Sequence, residues 1–66
     1  MQITINGAAE DVADRTTVAA LVADHAERRT RVAVAVNAEV VPRSGWETTQ
    51  LEAGDSVELL AATAGG

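Results

Sequence analysis

The sequence predicts an α+β fold of two layers, a mixed β-sheet with one helix packed on one face. Three observations lead there: an Asn-Gly pair inside an alternating segment near the start, one stretch with helical spacing of its apolar residues, and three later apolar runs separated by turn residues. The resulting order is strand, strand, helix, strand, short strand, strand. Such an order most simply makes a single sheet covered by a single helix.

Each element has its own signal. In "MQITINGAAEDV", Ile3 and Ile5 alternate with Gln2 and Thr4, and Asn6-Gly7 follows at once. Both central residues of a type I′ turn need positive φ, so residues 1–12 read as a hairpin. Thr16 or Thr17 can cap a helix from about Val18 to Arg29, whose apolar positions Val18, Leu21, Val22 and Ala26 keep the three-to-four-residue spacing. Arg28 and Arg29 then fall in its last turn, where cations suit the negative end of the helix dipole. "RVAVAVN" sets Val32, Val34 and Val36 on one side and Ala33 and Ala35 on the other, and reads as a well-buried strand. "AEVVPR" supplies a short fourth strand, confined to an edge because Pro42 has no N–H for a ladder. Ser44 to Leu51 is a loop or one helical turn, Glu52 to Asp55 a turn, and "SVELLAA" the last strand.

In the β-grasp version of this architecture the first and last strands lie parallel at the centre of the sheet. Period two then turns Val57, Leu59 and Ala61 toward the helix and Glu58, Leu60 and Ala62 outward. Leu60 and Ala62, on the uncovered face beside the chain end, are candidate docking residues.

Composition narrows the function classes. The chain has 66 residues, enough for one domain, and 14 of its apolar residues are Ala, so the core is small and aliphatic. With no Cys, thiol nucleophiles, disulfides, zinc-thiolate sites and iron–sulfur clusters are excluded. Five Arg, no Lys and ten acidic residues give a net charge of −5, which repels phosphate backbones and argues against a nucleic-acid partner. The apolar runs are too short for a membrane span, and no basic segment precedes an apolar one at the start, so a cytoplasmic protein is expected.

Catalytic patterns are equally sparse. None of the five glycines falls in a phosphate-loop frame, the carboxylates are scattered, and Ser44 and Ser56 lie in no nucleophile motif. His25 sits at the margin of the helix's apolar stripe, a packing or surface position, and Trp46 reads as a lid over the core. The protein is therefore expected to be no enzyme and to bind no cofactor of its own. What stands out is the end, "ELLAATAGG". At an average Gly usage of ~7%, two terminal glycines arise by chance in roughly 0.5% of chains. Lacking Cβ, Gly65 and Gly66 can run through a narrow channel and present an unhindered carboxylate. That group is ionised at neutral pH and a poor electrophile, so it must be activated from outside, as by transfer to AMP. The chain accordingly divides into a folded domain, residues 1–62, and a flexible tail of Thr63, Ala64, Gly65 and Gly66.

"VNAEVVPRSGW", "LEAGDSVELL" and the terminal "AGG" together resemble the ThiS family, the sulfur carriers of thiamine biosynthesis within the ThiS/MoaD ubiquitin-like superfamily. The resemblance runs the length of the chain. The Gly-Gly end is shared by the whole superfamily, whereas Val36-Asn37, Val41-Pro42-Arg43 and Trp46 in so short a chain point to the thiamine branch. The resemblance implies a β-grasp fold and a Gly66 carboxylate that an E1-like adenylyltransferase activates with ATP. Sulfur from cysteine, supplied by a desulfurase-type enzyme, then gives a thiocarboxylate, and thiazole synthase takes that sulfur into the thiazole ring. "LLAATA" is poorer in large apolar residues than the family pattern. Other readings are a carrier for molybdopterin, cysteine or another sulfur-containing metabolite, a ubiquitin-like protein modifier, or a β-grasp interaction module with frayed glycines.

Overall fold

The computed structural model describes the backbone of residues 1–25 and 30–63, and the side chains of 1–25 and 31–60. Five strands form one sheet: β1 (Gln2–Ile5), β2 (Ala8–Asp11), β3 (Thr30–Val36), β4 (Glu39–Val41) and β5 (Ser56–Thr63). They lie in the order β2-β1-β5-β3-β4, with β1 parallel to β5 and the other pairs antiparallel. The helix α1 (Val18–His25) covers one face. The expected parallel pairing of first and last strands at the centre is present, and β4 ends at Pro42 on the edge.

Local chemistry accounts for the elements. Asn6 and Gly7 have φ of 50° and 84°, the left-handed pair that a two-residue hairpin demands. Thr17 caps α1, its Oγ1 accepting the Ala20 N–H at 3.1 Å. Two further amide donors at the helix start are taken by the loop that follows β4: Val18 N–H donates to Thr49 C=O at 2.9 Å and Ala19 N–H to Trp46 C=O at 3.0 Å. That loop opens with a single 3-10 turn, Arg43–Gly45, and is strapped over the helix start. The last part of the expected helix, Ala26 to Arg29 with its arginine pair, lies outside the described residues.

The core lies between sheet and helix. Ile3, Ile5, Val34 and Val57 from the sheet meet Val18, Leu21 and Val22 from α1, with Leu51 and Trp46 closing the end. Trp46 is buried, and its indole N–H donates to Val41 C=O at 2.9 Å, so the ring lids the core with its polar atom satisfied. The expectation that β3 is well buried needs correction. Val34 is buried, but Val32, Ala35 and Val36 are half-buried and Ala33 is exposed. One helix supplies one covering layer, and alternation sends Ala33 and Ala35 to the other side.

Candidate functional site: the open face and the last strand

β5 runs down the centre of the sheet toward the end of the chain, and its two faces differ sharply. Val57 is 0% exposed, Leu59 packs against the core, Glu58 is exposed and Leu60 is 73% exposed. This is the alternation read from the sequence. Val40 on β4 is 75% exposed. Its place follows from register: the two-residue turn Asn37-Ala38 pairs Val40 with Ala35, an outward residue, while the β3–β5 pairing sets Ala33 opposite Leu60. Together Ala33, Ala35, Val40, Glu58 and Leu60 line a shallow apolar depression on the uncovered face. Val40 did not emerge from sequence reasoning, and the signal that finds it is the length of the Asn37-Ala38 turn.

Backbone and side-chain bonds hold β5 along its length. On one side it pairs with β3 from Val57 to Thr63. On the other, Thr4 N–H donates to Asp55 C=O at 3.0 Å and Asn6 N–H to Val57 C=O at 2.9 Å. The Asn6 side chain then extends that seam: its Nδ2 donates to Leu59 C=O at 3.2 Å and its Oδ1 accepts Leu59 N–H at 2.9 Å. A side-chain amide thus stands in for one more peptide of β1. At the start of β5, Asn37 Oδ1 accepts Ser56 N–H at 3.0 Å while Asn37 Nδ2 donates to Asp55 Oδ1 at 3.0 Å. Asp55 Oδ2 accepts Glu52 N–H at 2.8 Å, closing the turn in which Gly54 has φ of 86°. Two left-handed asparagines therefore frame the central strand from both sides.

His25 is engaged elsewhere. Its Nδ1–H donates to Leu21 C=O at 2.9 Å, and its Nε2–H to both Glu10 carboxylate oxygens at 3.1 Å. Both nitrogens donate only in the imidazolium, and the Leu21 carbonyl followed by the Glu10 carboxylate holds its pKa above the ordinary value. The histidine pins the helix to β2, a structural task. Among the described residues no cluster of His, Asp and Glu could hold a metal ion, and no helix is long and apolar enough to cross a membrane.

Of the residues singled out from sequence, Leu60 is exposed on the open face. The backbone of Ala62 and Thr63 belongs to β5, paired with Arg31 and Thr30, so the sheet takes in the first residue that was assigned to the tail. Ala64, Gly65 and Gly66 lie outside the described residues, as does the side chain of Ala62.

Comparison with known proteins extends these observations. The model of the ThiS family matches residues 2–66. The sulfur carrier protein ThiS of Escherichia coli (strain K12) is 35% identical over 66 residues, all of both chains. The crystal structure of the thiamine biosynthesis protein ThiS from Geobacter metallireducens superposes with a TM-score of 0.82 at 33% identity, again over all of both chains. A solution structure of a thiamine biosynthesis protein from the same organism gives a TM-score of 0.77 at 33% identity, over all of this chain and 88% of that one. With a ubiquitin-like β-grasp sheet and end-to-end likeness to these relatives, the chain belongs to the ThiS family.

Proposed function

We propose that the protein is a sulfur carrier of thiamine biosynthesis whose Gly66 carboxylate carries the sulfur. An E1-like adenylyltransferase would join that carboxylate to the α-phosphorus of ATP, releasing pyrophosphate. The outer sulfur of a persulfide, formed from cysteine on a desulfurase-type enzyme, would then attack the acyl-adenylate and displace AMP. A second thiol would cleave the resulting acyl disulfide, becoming part of a disulfide itself and leaving the thiocarboxylate, which thiazole synthase consumes. All of the chemistry sits on the partners, so the carrier itself is a co-substrate and ATP is bound by the activating enzyme. Its own task is to present the C-terminus and to be recognised.

The observation that carries this reading is membership of the ThiS family along the whole chain, joined to a terminal Gly-Gly. The geometry supports it by placing the strand that leads to Gly66 at the centre of the sheet, held by β3 and by Asn6. Leu60 and Val40, exposed beside that strand, form with Ala62 the docking surface in this reading. The test is the intact mass after incubation with ATP, a sulfur donor and the E1-like enzyme of the same cell, with iodoacetamide to trap a thiol acid. An alkylated species localised to Gly66, absent when Gly66 is deleted, is the expected result. An unchanged mass with an enzyme proven active on another carrier would return the protein to an interaction module.

A further inference from the structure

We propose that the activating enzyme adds an extended segment to β5 as a new strand, pairing with the backbone of Ala61 and Thr63. The proposal rests on the carrier reading for the identity of the partner and on the hydrogen-bond register for the place.

The register follows from alternation. Along a strand, successive residues point their N–H and C=O to opposite neighbours. Asp55, Val57 and Leu59 turn theirs toward β1, since Thr4 N–H, Asn6 N–H and the Asn6 side chain bond to them. Ser56 faces the other way, accepting Asn37 N–H at 2.7 Å. By the same alternation Leu60 and Ala62 serve β3, where they lie opposite Ala33 and Arg31. Ala61 and Thr63 must then point to the β1 side. β1, however, ends at Ile5, and its hairpin turns away at Asn6-Gly7. Asn6 supplies the last bonds of that seam at Leu59, and among the described residues no strand continues it. Among the described residues, the final part of β5 is thus paired on one side and open on the other.

An open backbone edge is a template for strand addition, with main-chain bonds giving affinity. Its occupant is argued from position and charge. The edge lies on the path to Gly66, so an enzyme that receives this end passes beside it, and exposed Leu60 adjoins it. With a net charge of −5, the chain favours a segment free of acidic residues.

Ala61→Pro is the discriminating variant. It removes an N–H that β3 does not use, and proline is tolerated where the missing donor faces outward. Affinity for the E1-like enzyme should fall about tenfold or more, the scale expected for losing main-chain bonds at an interface. Ala62→Pro, which removes a ladder donor, should unfold the strand instead. Amide exchange on the wild-type protein checks the premise without any variant: Ala61 and Thr63 should exchange faster than Leu60 and Ala62, and should slow when the enzyme is added. Equal affinity of the folded Ala61→Pro variant and wild type, or equal protection of Ala61 and Ala62 in the free chain, would overturn the proposal. So would a concentration-dependent dimer lost in Ala61→Pro, which assigns the edge to a second copy. Thiocarboxylate formation at Gly66 is scored separately, so a modified wild type with an indifferent Ala61→Pro removes the strand addition and leaves the carrier. A wild type neither bound nor modified removes both.

Discussion

Val57 and Leu60 are three residues apart on one strand, yet the first is 0% exposed and the second 73%. Nothing in their side-chain chemistry separates them so far, because both are aliphatic and both sit on the central strand. Their face decides it. Where the helix lies, apolar residues stabilise the fold by leaving water. On the far side, which α1 does not cover, the same kind of residue stays wet and is available to another molecule. The two faces of β5 thus divide a buried layer from a wet one within a single strand.

The largest effect should come from the closed face. Leu21, on α1, is 1% exposed, and Leu21→Ala should cost about 2–5 kcal/mol by denaturant unfolding. A loss under about 1 kcal/mol would mean a loosely packed layer and would dissolve the contrast. Next comes the hairpin behind the open face. Asn37 and Ala38 take φ of 51° and 68°, so an alanine occupies the left-handed position that Gly7 fills in the first hairpin. A Cβ there costs roughly 1–2 kcal/mol, partly offset because glycine adds freedom to the unfolded chain. Ala38→Gly should therefore stabilise by about 0.5–1 kcal/mol, and Gly7→Ala should destabilise by a similar amount, both seen in the denaturation midpoint.

The effect of pH should be smaller, since His25 and Glu10 are partly solvated. The Leu21 carbonyl and then Glu10 raise the His25 pKa above 6.5 in the folded state, with Asp24 adding to the same direction. The stabilisation is then fully present below about 6.5 and is lost as pH rises through the folded value. Wild type should lose melting temperature between pH 6 and pH 8.5 relative to Glu10→Gln, and parallel curves would sink this account. Smallest of all in stability is Leu60→Ser, which should change unfolding by less than about 0.5 kcal/mol. Its affinity for the activating enzyme should nevertheless fall, and unchanged affinity would take recognition off the open face.

Much of this was legible because the signals were local. Asn6-Gly7 announces its turn by chemistry alone, Thr17 its cap, and Pro42 the edge. The outward placement of Leu60 followed from counting by two. The burial of β3 was misjudged because alternating Val and Ala read as apolar on both faces, and alanine does not say whether it packs or merely floors an open surface. Val40 was missed because its face depends on the length of a turn whose left-handed second residue is Ala. The link from Asn6 to Leu59 spans 53 positions, and no local pattern encodes it. Gly65 and Gly66 were the plainest chemical signal in the chain, and they lie outside the described residues.

Trp46, on the strapping loop, is the lone aromatic residue of the protein and is buried in the core, with the Arg43 guanidinium 5.4 Å from its ring centre. Its fluorescence therefore comes from a single emitter in a single environment. Unfolding should shift that emission to longer wavelength as the indole meets water, giving a label-free optical readout of the closed layer. A partner settling on the opposite side of the sheet should leave the spectrum where it was. The protein carries an internal gauge of the closed layer alone.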